Sequence, residues 1–125
     1  MHKLIILIDP PPNETQFETL WPEFISISAV IPGLRRETTS RVSYKMFGNH
    51  PFALIHELFF DSADAVRQAL NSPTGVKAGQ TLQRITGGRV TLLLAEHLED
   101  DPVRYTPLPV QEGTPPQPPQ PPPTP

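Results

Sequence analysis

The chain has 125 residues, a formal net charge of −3 with ten Lys and Arg scattered along it, and no cysteine. Such a length supports one domain. The scattered cations exclude the clustered charge that nucleic acid or an anionic membrane requires, and the missing thiols exclude disulfides, thiolate catalysis and thiolate metal sites. Of 18 prolines, eleven fall between Pro102 and Pro125. They divide the chain into a domain of residues 1–100 and a Pro-rich tail, 101–125, expected to be disordered and extended with polyproline II character.

Lys3 to Asp9 is β-branched and apolar, and it stops at Pro10-Pro11-Pro12. It reads as a first strand, buried on both faces because it barely alternates. Its apolar run, Leu4 to Ile8, is too short for a signal core or a membrane span, so a cytoplasmic protein is expected. Asn13 is a natural helix N-cap with Gln16 three residues on. Phe17, Leu20, Trp21, Phe24, Ile27, Ser28 and Ile31 then recur at helical spacing. Pro22 removes the amide that would bond to the Glu18 carbonyl, which predicts a kink near 18–22 or a second helix starting at Pro22. Pro32-Gly33 ends the helix.

Arg35 to Lys45, rich in Thr, Ser, Val and Tyr, reads as a second strand. Phe47 to Pro51 supplies a loop, and Phe52 to Phe60 a third strand. Asp61 or Ser62 caps a helix to about Asn71. Ser72-Pro73 restarts it with proline at the tolerated first position, and it reaches about Ile85. Thr86-Gly87-Gly88 turns the chain into a fourth strand, Arg89 to His97.

This β-α-β-β-α-β order is the ferredoxin-like α+β pattern, a four-stranded antiparallel sheet with helices on one face. The third strand alternates Phe52, Leu54, Leu58 and Phe60 with Ala53, Ile55 and Phe59. Both sides are too apolar for water. A second copy of the same sheet is the simplest cover for the helix-free face, giving a homodimer built as an α/β barrel.

With the elements placed, the chain resembles the EthD family over residues 1 to about 98. The likeness rests on several motifs in order: Lys3-Leu4-Ile5-Ile6-Leu7, Ile31-Pro32-Gly33-Leu34-Arg35-Arg36, Ser40-Arg41-Val42, Glu57-Leu58-Phe59-Phe60-Asp61-Ser62 and Ser72-Pro73-Thr74-Gly75. The resemblance implies a dimeric α/β barrel with an apolar pocket. It also implies a cytosolic bacterial protein linked to breakdown of small organic compounds by a partner oxygenase. Family members commonly carry His-x-Pro near the end of helix one; here Ile25-Ser26-Ile27 stands in that place, so no acid–base role can rest there.

Among titratable residues, Glu57 stands out. It alternates with Ile55 and Phe59 and is expected to face the dimer cavity, where a carboxylate in apolar surroundings serves as acid or base. The plainer alternative is an interface ion pair, for instance with an Arg of a partner copy. His56, on the opposite face with Leu54 and Leu58, reads as a hydrogen-bonded core histidine. His50, in the loop beside Asn49 and Pro51, is a second acid–base candidate at a pocket mouth. Trp21, Phe24, Tyr44 and Phe59 are candidate pocket walls, with core packing as their alternative. Arg41 and Tyr44 on strand two are placed to orient a carbonyl or carboxylate. No metal-ligand spacing occurs and no cofactor is expected. Gly87-Gly88 precedes a strand and is no phosphate loop. The tail holds Pro-x-x-Pro matches such as Pro116 to Pro119, read first as part of a spacer.

Three functions follow. The first is a dimeric barrel binding a small apolar or aromatic metabolite, accessory to an oxygenase-linked pathway. The second is a cofactor-independent isomerase, cyclase or monooxygenase using Glu57. The third is a structural dimer with a partner recruited by the tail.

Overall fold

The computed structural model describes residues 1–100; the tail expectation lies outside the described residues. Its strands are β1 (His2–Ile8), β2 (Arg36–Arg41), β3 (Leu54–Phe60) and β4 (Val90–Glu96), and its helices are α1 (Glu14–Ser28), α2 (Ala63–Asn71) and α3 (Pro73–Thr86). The strands form one antiparallel sheet in the order β2-β3-β1-β4. This is the ferredoxin-like α+β fold.

Local chemistry sets each element's ends. Asn13 caps α1, its side chain accepting from the Gln16 amide at 2.9 Å. Ser62 caps α2 and Ser72 caps α3 in the same way. The α2–α3 joint is so close that a Cβ on Gly75 would lie 1.9 Å from the Ala69 carbonyl oxygen, a place only glycine can fill. Gly87, in the left-handed region at φ 61°, closes α3.

Two expectations need correction. Helix α1 runs through Pro22 as one element, so no second helix starts at that residue. Pro22 is on the exposed side, where water can take the freed Glu18 carbonyl. Phe17, Trp21, Phe24 and Ser28 hold the other side in the core. Strand β2 ends at Arg41, not Lys45, because beyond Val42 the chain leaves the β3 ladder. Tyr44 is therefore in the β2–β3 loop and not on the strand.

Alternation assigns the faces. Leu4, Ile6, Ile8, Leu54, Leu58 and Phe60 point under the helices and join Trp21, Phe24, Val66 and Leu82 in one core. Burying such side chains stabilises the fold by about 1.5–3 kcal/mol each. Ile5, Leu7, Ile55 and Leu93 take the alternate positions of the same register, on the face without helices. Ile5, Leu7 and Ile55 are half-buried there, and Leu93 is exposed.

Candidate functional site

The two faces hold different polar chemistry. On the helix face, β2 brings Glu37 and Thr39 opposite Leu58 and His56. The His56 ring is 1% exposed. Its Nε2 donates to Glu37 Oε2 at 2.5 Å, and its Nδ1 lies 2.8 Å from the Thr39 hydroxyl. The Ser28 hydroxyl, at the end of α1, donates to the same carboxylate oxygen. Trp21 and Phe24 stand edge-on to the imidazole at 5.3 and 5.7 Å. Burial pushes the Glu37 carboxyl up, but the hydrogen bonds from His56 and Ser28 outweigh it and hold the group below the usual range. Every polar group here is spent on another, and the cluster has the character of a structural network. His56 is the hydrogen-bonded core histidine that alternation implies.

The open face is less complete. Glu57 points there, opposite Thr38 on β2 and Ile5 on β1. It forms an ion pair with Lys3 at 2.7 Å, each side chain about one-fifth exposed, and accepts from the Thr38 hydroxyl at 3.4 Å. Its ion-pair partner within the chain is thus a lysine of its own sheet. Beside it Phe59 is 2% exposed without joining the core. The Arg36 guanidinium lies 4.2 Å and the Lys3 ammonium 5.3 Å from its ring centre, and the His97 ring meets it edge-on at 4.9 Å. Phe59 supports this charged end of the sheet and offers no free wall.

At the other end of the open face the β2–β3 loop forms a groove of about 540 Å³. Val42, Met46, Phe47, His50, Phe52 and Ile55 line it, with Lys45. His50 Nε2 stands 2.8 Å from Asp9 Oδ1, and its ring lies 4.4 Å from that of Phe52. The carboxylate fixes the proton on Nε2 and leaves Nδ1 without a hydrogen-bond partner among the described residues.

The remaining expected site residues are dispersed. Trp21 and Phe24 are core residues on the buried side of α1 and do not reach the open face; exposed Pro22 and Glu23 take the other side of that helix. Arg41 pairs with Glu18 of α1 at 2.6 Å, on the helix side of the sheet. Tyr44 projects from the loop, 79% exposed. Sequence reading missed Glu37, Lys3 and Asp9. No group of three or more His, Cys, Asp or Glu among the described residues is placed to hold a metal ion, and no helix among them is long and apolar enough to cross a membrane.

An ethyl tert-butyl ether d (EthD) family protein from Bacillus halodurans superposes with a TM-score of 0.73 at 27% identity, over 78% of this chain and 99% of that one. The chain is EthD-like. Two further structures share the ferredoxin-like fold. SnoaB, a cofactor-independent oxygenase from Streptomyces nogalater, matches with a TM-score of 0.61 and 18% identity, over 81% of this chain and 96% of that one. A dimeric protein of unknown function from Bacteroides fragilis matches with a TM-score of 0.56 and 18% identity, over 77% and 95%. No family model and no curated protein matches the EthD-like chain.

Proposed function

We propose that this EthD-like chain acts as a homodimer whose two open sheet faces enclose a cavity for a small apolar or aromatic metabolite. One observation carries the reading. The helix-free face presents an apolar strip, Ile5, Leu7, Ile55 and Leu93, in the middle of the sheet, with ionic groups at its ends: Lys3, Glu57 and Arg36 at one, Asp9 and His50 at the other. An apolar centre with few polar groups at the rim is the make-up of a small-molecule pocket. A monomer would leave that strip half in water. The dimeric B. fragilis protein of the same fold supports the same assembly.

A second reading, a cofactor-independent enzyme, has SnoaB as its precedent in this fold. Within it the geometry favours His50 over Glu57 as acid or base. Glu57 is engaged by Lys3, whereas His50 is oriented by Asp9 at the edge of the groove. A localisation in the cytoplasm fits either reading.

The test is a thermal-shift screen with phenols, lactones and quinones beside sedimentation at micromolar concentration. A dimer mass and a rise in Tm with at least one class, lost in Ile5→Glu, supports the cavity. A clean monomer that binds none of them removes it.

A further inference from the structure

The groove formed by the β2–β3 loop holds two ionisable groups among apolar walls, His50 and Lys45. The imidazole is oriented by a carboxylate outside the groove: Asp9 accepts from Nε2 at 2.8 Å and is not itself a wall. The sheet fixes Asp9 in turn. Its amide donates to the Arg89 carbonyl at 3.1 Å, and the Ile8 carbonyl before it accepts from the Ala53 amide at 2.7 Å. The nitrogen left with a lone pair is Nδ1, so the ring meets a ligand as a base. Phe52, its ring 4.4 Å from the imidazole, offers apolar area for a flat molecule, together with Phe47 and Ile55.

Lys45 differs from the cations at the other end of the open face. Lys3 is paired with Glu57 and Arg36 with Glu99, whereas Lys45 has no acidic partner among the described residues. No Asp or Glu occurs from Thr38 to His56. The other charged groups near the groove are spent: Asp9 on His50, Arg41 on Glu18, and the Arg89 guanidinium on the Pro10 carbonyl. The groove therefore sets one uncompensated positive charge beside one base.

That pair selects among ligands. A carboxylate would suit Lys45 but set its charge against the Nδ1 lone pair. A neutral ketone, lactone or quinone offers Nδ1 no proton. A phenol, or the enol of a dicarbonyl compound, suits both groups, and its conjugated body suits the apolar walls.

We infer that the groove beside His50 binds weakly acidic phenols or enols as their anions, with His50 taking the proton and Lys45 holding the oxygen. The O–H bond breaks, an N–H bond forms at Nδ1, and the electron pair stays on oxygen, where the Lys45 ammonium balances it. Nothing is oxidised and no co-reactant is consumed. This rests on the second reading above, in which His50 is the acid or base, and names the class of molecule it acts on.

The test uses para-nitrophenol, whose anion is yellow and whose neutral form is not, at a pH just below its own pKa. Adding the full chain should raise the nitrophenolate absorption to saturation. His50→Gln and Lys45→Met, both at exposed loop positions, should each weaken that binding at least about tenfold, the worth of one hydrogen bond to a charged group; far-UV circular dichroism checks the fold. Nitrobenzene, similar in shape without the acidic proton, should compete at least about tenfold more weakly. A rise in Tm with para-nitrophenol and no change in absorption would mean that the molecule binds neutral, and would overturn the inference. So would para-nitrobenzoate competing as well as the phenol, which would make the groove a plain anion site. An absorption change that survives in His50→Gln would remove His50 as the base altogether. Turnover of a lactone that requires His50, with no binding of para-nitrophenol, would keep His50 as acid or base and overturn the ligand class alone.

Discussion

His56 and Glu57 are neighbours in the chain and live in different media. One peptide step along β3 sends His56 under the helices, where its ring is sealed by Trp21, Phe24, Glu37 and Thr39. The next residue goes to the open face, where a lysine and a threonine hold it at the edge of water. The helix face is finished by its own chain. The open face has an apolar centre, paired ions and, among the described residues, no cover. Stability therefore belongs to the first face, and the proposed assembly and ligand site to the second.

The comparison is broken most severely from the sealed side. His56→Ala removes a buried ring and leaves the Glu37 carboxylate with fewer donors, so we expect a loss of about 3–5 kcal/mol in urea denaturation. Glu57→Gln leaves the Lys3 ammonium, about one-fifth exposed, without its counter-ion, and should cost less, about 1–3 kcal/mol in the monomer's folding. Equal losses at the two positions would mean that the faces are not divided as described.

The open side is broken by charge. Leu93→Glu places a carboxylate in the proposed interface without touching the core. Sedimentation equilibrium should show dimer dissociation rising at least about 100-fold, equivalent to about 2.7 kcal/mol, while the melting profile of dilute protein changes little. A dimer indifferent to this substitution would have its interface elsewhere.

A subtler difference is set by pH. Glu37 is held below its ordinary value of 4.5, burial being outweighed by His56 and Ser28. A carboxyl depressed on folding contributes stability that is fully present above the unfolded value and is lost as pH falls through the folded one. The stability gap between wild type and Glu37→Gln should therefore be constant above about pH 5 and shrink on acidification. A gap that widens in acid would show that the native state holds Glu37 protonated.

Much of this division was legible beforehand. Alternation in β3 separated Leu54, His56 and Leu58 from Ile55, Glu57 and Phe59, and caps at Asn13, Ser62 and Ser72 placed the helices. The network around His56 was not legible, because Arg36 to Arg41 is polar at every position and gives no apolar alternation to orient Glu37. Its one trace was Ser28, a lone hydroxyl on the apolar stripe of α1. Trp21 and Phe24 fit a pocket wall and a core equally well in the sequence, because a pattern shows that an aromatic residue is buried but not what it is buried against. Asp9 and His50 are 41 residues apart, and only the turn of the long loop brings them together.

The smallest expected effect concerns residues 106–125. The open face needs a cover, and two sources compete: a second copy and the chain's own tail. Thr114 to Pro125 is almost wholly Pro, Gln and Thr, which supplies few apolar groups to bury. Proline also lacks the amide needed to extend the β4 edge. A second copy instead brings an apolar sheet. Deleting 106–125 should then leave both Tm and the dimer dissociation constant unchanged within error. A fall of several degrees, with β4 amides newly open to hydrogen exchange in the truncated chain, would make the tail the cover and leave the facing sheets without a reason to meet.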